Sequence, residues 1–154
     1  MSLAEGRTVG PWTGARDVMK ISAKAEYACL AILALARRRP VDPPIRIREI
    51  SENHGIPERY LVQILLQLKG AGLVASTRGA SGGYRLARSA ASISLGEVLT
   101  AIDGPDSPPR ESSRPANQVL ASVWEDVRIA ERSVLDKTTI AQLAERTLPH
   151  EWVI

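Results

Sequence analysis

Cysteine, histidine and aromatic residues are scarce in this chain, and phenylalanine is absent. A single cysteine, Cys29, excludes an internal disulfide framework and any cysteine-rich metal cage within one chain. The two histidines, His54 and His150, are far apart in sequence and offer no pair at metal-ligand spacing. No uninterrupted apolar run reaches the length of a membrane-crossing helix. The first eighteen residues also lack the apolar stretch of a secretory signal, so the expected location is the cytoplasm. Neither a Ser/His/Asp set nor a carboxylate pair with a defined cleft can be assembled, so no catalytic residue is expected and the chain is read as a non-enzyme.

What is present is an uneven distribution of charge. The formal net charge is only +3, but Met19 to Arg88 carries twelve Lys/Arg against five Asp/Glu. Ser89 to Ile154 reverses this, with six against ten. A basic front half with an acidic back half points to a polyanion that meets one part of the chain only. The competing reading is a solvated surface that happens to be uneven. The length of 154 residues suits one domain with a real core and a helical extension.

Residues 1–18 show no period and carry Gly, Pro and Thr; they read as a disordered leader, an expression remnant or a mis-set start. "ISAKAEYACLAILALARRR" predicts a helix capped by Ser22, with Ile21, Ala25, Ala28, Cys29, Ile32, Leu33 and Leu35 on its apolar face. Cys29 lies within that face and reads as a small core hydrophobe rather than a reactive thiol. Three prolines follow. A short helix is then expected in "IREISENHG", ended by Gly55, and a second after Pro57 in "PERYLVQILLQLKGAG". Two helices joined by a tight glycine turn, the second amphipathic, have the shape of a helix-turn-helix. His54 falls at the end of the first of them, where a cation or a hydrogen-bonding cap is favourable; a metal ligand is the weaker reading.

"LVAST" and "GYRLA" read as short strands, with Leu73, Ala75 and Thr77 on one side and Val74 and Ser76 on the other. A further helix follows in "SISLGEVLTAIDG", where Ser94 and Glu97 have capping-box spacing and Gly104 is the stop. Residues 105–117 are a Pro/Ser-rich flexible linker. In the long helix after it, Leu120, Val123, Val127, Ala130 and Val134 line one seam at 3-4-3-4 spacing. That seam packs on the chain's own core or, the better explanation after a loose linker, on a second copy. Thr138 or Thr139 caps a last short helix, "IAQLAERTL".

The loop in "STRGASGGYRLAR" has several readings. A Walker-type phosphate loop needs Gly-Lys-Ser/Thr and then a helix, whereas Gly83 is followed by Tyr84 and a strand. The spacing of a dinucleotide fingerprint is also wrong. An ordinary hairpin turn needs its glycines only for positive φ. A wing beside a helix-turn-helix uses them to approach phosphates, with Arg78 and Arg85 supplying charge near the polyanion. Position in the chain, just after the second helix, favours the wing.

With these elements in place, the sequence resembles the Rrf-two family of winged-helix transcription regulators (IscR/NsrR/CymR-type). The resemblance is carried by "MKISAKAEYA", "IREISENHGIPERYLVQILLQLKGAGLV" and "STRGASGGYRLAR", with "ISLGEVLTAIDGP", "SVWEDV" and "TTIAQLA" in support; it covers about Met19 to Leu143. It implies a mainly α fold with a small β-hairpin: a winged helix-turn-helix at 19–88, a connecting helix at 89–104, and a dimerisation helix with a short C-terminal helix at 118–154. It implies a homodimer on double-stranded DNA, each subunit reading half of a near-palindromic operator, most often as a repressor. Carried over, the major-groove positions are Pro57, Arg59, Tyr60 and Gln63, and Arg78, Gly79, Ala80 and Ser81 form the wing tip. Ser22, Lys24 and Tyr27 match first-helix positions near the DNA backbone. Gln63 can pair two-pronged with adenine and Arg59 with guanine, each contributing roughly 1–3 kcal/mol of base discrimination. Lys20, Lys24 and Lys69 are phosphate contacts or simply solvated. Tyr60 is read equally as a core residue.

The departure concerns the sensor. Many members hold an iron–sulfur cluster through three close cysteines before the long helix, and Gly104 to Leu120 has none here. No cofactor is therefore expected, and the effector, a small ligand or a protein partner, is left open. The alternative function is an interaction module of the same fold that works through protein partners without specific DNA binding.

Overall fold

The computed structural model describes residues 21–105 and 114–146. The leader at 1–18, Met19, Lys20, most of the Pro/Ser linker and His150 lie outside the described residues. Helix α1 spans Ala23–Ala36, α2 Ile47–His54 and α3 Glu58–Gly70. The hairpin strands β1 (Val74–Thr77) and β2 (Gly83–Leu86) follow. After a 3-10 turn at Ala90–Ser92 come α4 (Leu95–Asp103), α5 (Pro115–Lys137) and α6 (Ile140–Arg146). Among these residues no helix is long and apolar enough to cross a membrane.

The core is aliphatic throughout, as a chain without phenylalanine requires. Ala25, Ala28, Ala31, Ile32 and Leu35 form the buried stripe of α1, and three alanines in that stripe let neighbouring helices approach closely. Against it pack Leu61, Ile64, Leu65 and Leu68 of α3, Val98 and Ile102 of α4 and Ile140 of α6. No polar side chain is buried among the described residues. Each fully buried Ile or Leu contributes about 1.5–3 kcal/mol relative to exposure, so this apolar set is what holds the domain together.

The helix ends follow their capping chemistry. Ser22 Oγ accepts from the Ala25 amide at 3.0 Å and donates to the Asp103 carboxylate at 2.8 Å, which ties the start of α1 to the end of α4. Ser94 and Glu97 make the expected capping box, with bonds of 3.0 and 3.1 Å. Thr139 and Gln142 form a second reciprocal pair at the start of α6, at 3.1 Å each way, whereas the Thr138 hydroxyl donates back to the Val134 carbonyl. Backbone bonds Leu95–Thr138 and Ile140–Ile93, at 2.8 and 2.9 Å, return the chain onto α4.

Three local expectations are revised. Ile21 precedes α1 and is 48% exposed, so it is not part of the core face. Leu73 and Val74 are both buried, which breaks the expected alternation where β1 emerges from under α3. Helix α5 begins at Pro115, three residues before the expected Gln118, because proline fits the first helical turn, where an unbonded N–H is no loss.

Candidate nucleic-acid interface

Gly55 ends α2 with φ 64°, the left-handed conformation that glycine adopts without strain, and turns the chain into α3. Pro57 stands at the N-cap of α3, and its carbonyl accepts from the Tyr60 and Leu61 amides at 3.0 and 3.2 Å. Because Leu61, Ile64, Leu65 and Leu68 claim the inner face, helical spacing turns Arg59, Val62, Gln63 and Leu66 outward, and all four are exposed. The second helix of the pair is thus anchored along one side and open along the other.

The hairpin is fastened at its base. β1 and β2 are antiparallel, in register from Val74 opposite Leu86 to Thr77 opposite Gly83. Ile45, from the loop before α2, adds one bridge to β2 through Tyr84, with bonds of 2.8 and 3.0 Å. Gly83 lies flat on that loop, and a Cβ there would meet the Ile45 carbonyl oxygen at 2.5 Å. Lys69 Nζ on α3 donates to Ser76 Oγ on β1 at 2.7 Å, a further tie between that helix and the hairpin. Arg78, Gly79, Ala80 and Ser81 remain exposed at the tip.

Between the starts of α2 and α3 and the hairpin runs an open groove of about 770 Å³. Arg46, Arg48 and Arg78 line it, with Glu58 the one carboxylate and the glycines of the hairpin forming part of its wall. Arg48 is paired with Glu52 at 3.2 Å, and with Arg46 and Arg78 beside it the groove keeps an excess of cationic groups suited to a phosphate backbone. Arg46 and Arg48 are additions to the sequence-based site. Their signal is present in "IRIRE", where arginines alternate with isoleucines across the start of α2, Arg46 at its N-cap and Arg48 in its first turn.

The structure brings some predicted residues together and separates others. Tyr27 of α1 and Tyr60 of α3 stack, with centroids 6.3 Å apart and an interplanar angle of 28°. Tyr60 is 42% exposed, so its ring rests on the surface and not in the core. The Arg59 guanidinium lies 4.9 Å from that ring's centroid and donates to the Tyr60 hydroxyl at 3.3 Å. Lys24 is half-buried on the same helix as Tyr27, and Gln63 is exposed one turn beyond Arg59. Ser22 is exposed, but its proton is engaged by Asp103. Arg85, expected near the polyanion with Arg78, turns instead to the Pro40 and Asp42 carbonyls and fastens the loop before α2.

His54 is half-buried at the end of α2. Burial, and next the positive charge of Arg37, hold its pKa below the ordinary value, so the cation that the helix end alone would favour is opposed. Cys29 is part-buried in α1. Burial first, then the charges of Glu26 and Asp103, push its thiol up to about 11, which makes it a poor thiolate donor.

On the outer side of the molecule, no residue of α5 is buried. Leu120, Val123, Ala130 and Val134 of the expected seam are exposed and Val127 is half-buried; Val119, Trp124 and Ile129 add further exposed apolar area.

Comparison with known proteins places this geometry. The family model described as Rrf2, iron-dependent transcriptional regulator, matches residues 21–146. Rv1287 of Mycobacterium tuberculosis H37Rv, named as an HTH-type transcriptional regulator, is 40% identical over 138 residues, covering 85% of this chain and 84% of that protein. The HTH-type transcriptional regulator CymR of Bacillus subtilis is 37% identical over 131 residues, covering 84% and 92%. The solved structure of B. subtilis CymR, described as the global cysteine regulator, superposes with a TM-score of 0.75 at 34% identity, covering 83% of this chain and 98% of that one.

The iron dependence in the family's description does not fit the donors of this chain. Thiolate ligation of a cluster needs several cysteines; the chain has one, in the hydrophobic flank of a helix. Among the described residues no three His, Cys, Asp or Glu side chains converge as metal ligands.

Proposed function

The chain belongs to the Rrf2 family of DNA-binding transcriptional regulators, and we propose that it acts as a homodimeric repressor on a near-palindromic operator. In each half-site Pro57, Arg59, Tyr60 and Gln63 enter the major groove. Ser22, Lys24 and Tyr27 lie toward the backbone, and Arg78, Gly79 and Ser81 reach the adjacent sugar–phosphate edge. The arginine-lined groove between the starts of α2 and α3 and the hairpin is the observation that carries this reading: it offers cationic donors next to the first turn of α3, whose outer face is exposed. The apolar outer side of α5 supports the two-fold assembly, since exposed apolar side chains repeated along one helix mark an interaction surface. Arg85 acts from behind, by holding the hairpin to the loop before α2.

The test is selection of duplexes from a random pool, followed by polarisation titration at several salt concentrations. The expected product is an inverted repeat with half-site centres one helical turn apart, about 34–36 Å. Affinity is expected on the order of nanomolar, falling steeply with salt as phosphate counterions are released. Equal affinity for every duplex, or binding indifferent to salt, would refute it. A reporter driven by the selected operator tests repression, expecting higher output when the regulator is deleted.

A further inference from the structure

Two residues on the outer face of α3 have no place in the polar recognition described above. Val62 is 43% exposed and Leu66 is 59% exposed. They are one helical turn apart, and spacing puts Arg59, Val62, Gln63 and Leu66 on one stripe opposite the buried Leu61, Ile64, Leu65 and Leu68. The stripe continues to Lys69, whose ammonium donates to Ser76 Oγ, and then to Gly70, so Leu66 is its last apolar side chain. A helix that presents an arginine and a glutamine to base edges therefore presents two branched aliphatics among them.

The major groove has one apolar group to offer such side chains, the 5-methyl of thymine. We infer that Val62 and Leu66 read thymine methyl groups, so that each operator half-site carries a required T·A pair beside the base pairs read by Arg59 and Gln63. This rests on the operator reading above and adds a specificity determinant to it. The spacing is testable. Arg59 and Leu66 are seven residues apart, a rise of about 10 Å along the helix, which matches about three base-pair steps. The competing occupant is a second copy of the chain packed on the same apolar patch.

The experiment replaces each thymine of the selected half-site, one at a time, by deoxyuridine, which keeps every hydrogen-bonding group and removes only the methyl. Binding of the wild type, Leu66→Ala and Val62→Ala is measured by polarisation at fixed salt, with sedimentation and thermal melting of each variant. At one or two positions uracil is expected to weaken wild-type binding about four-fold, the scale set by burying one methyl group. Leu66→Ala or Val62→Ala is expected to bind the thymine operator less tightly by a similar factor, and at its own position to lose the distinction between thymine and uracil. Their melting is expected to match the wild type, because both side chains lie outside the core.

Specific binding with every uracil substitution neutral would overturn the inference while leaving the operator reading intact. A uracil effect that persists in both variants would overturn it too, as would a half-site without thymine or loss of self-association in Leu66→Ala. Absence of any sequence preference would instead remove the operator reading and this inference with it.

Discussion

Tyr27 and Tyr60 stack with ring centroids 6.3 Å apart, and Arg59 lies over the second ring. The stack joins α1 to the opening turn of α3, so the position of Arg59 depends on a contact made by a different element. An aromatic pair of this kind contributes about 0.5–1.5 kcal/mol beyond the area it buries. Tyr60→Ala is therefore expected to lower stability by about that amount and to weaken operator binding as well. Tyr60→Phe keeps the stack and removes only the hydroxyl that Arg59 bonds, so its melting is expected to match the wild type. Parallel thermal melts and polarisation titrations check both. Undiminished binding by Tyr60→Ala would show that the stack does not serve Arg59.

Arg59 on α3 and Arg78 at the hairpin tip are both exposed, and their removal is expected to look different. Arg59→Ala is expected to cost about 1–3 kcal/mol at one base-pair position and to relax preference there. Arg78→Ala, at the exposed hairpin tip, is expected to weaken binding to all sequences alike and to reduce the salt slope by about one. Titration of both variants against the operator and single-position changes at three salt concentrations separates them. Identical profiles would mean that the two arginines share one role.

The helix-turn-helix and the start of α4 were legible because they rest on local chemistry: the glycine after His54, the proline before Glu58, and the Ser94–Glu97 box all appear in place. The role of Arg85 was not legible. Nothing in "GYRLA" reveals that the carbonyls of Pro40 and Asp42, more than forty positions earlier, lie against its guanidinium. Ile21 fits the apolar period but lies before the Ser22 cap, and the cap, legible in the sequence, already puts it outside the helix. Val62 and Leu66 escaped notice for a related reason. Aliphatics in an amphipathic helix are assigned to its buried side until burial of Leu61, Ile64, Leu65 and Leu68 shows that side to be full.

His54 gives the fold a dependence on mild acid. Its pKa is held below the ordinary 6.5, chiefly by burial and then by Arg37, so the unfolded chain takes up the proton first as pH falls. The stability of the neutral form is complete above about pH 6.5 and declines below it until the folded-state pKa is passed. Three carboxylates with lowered pKa values, Asp42, Glu97 and Glu125, act in a separate window below about 4.5. Melting temperature is thus expected to drop between pH 7.5 and pH 5.5, and to drop less in His54→Gln. An equal decline in the two proteins would assign the effect to other groups.

The proposed two-fold assembly rests on the outer side of α5. Leu120 and Val123 are exposed one turn apart, and Trp124 beside them is also exposed. If a second copy covers this seam, Val123→Glu places a charge where apolar surface is buried and no partner charge is known, which disfavours assembly. The variant is expected to sediment as a monomer with an unchanged melt at low concentration, since Val123 is not part of the chain's own core. Losing the second half-site removes the gain from bivalent attachment, which for linked sites is on the order of 10²–10⁴ in affinity. Operator binding should then fall by at least about a hundredfold, while binding to an isolated half-site stays as it was. If Val123→Glu still sedimented as a dimer with full operator affinity, the subunits would have to meet through another surface, and the seam would lose its role.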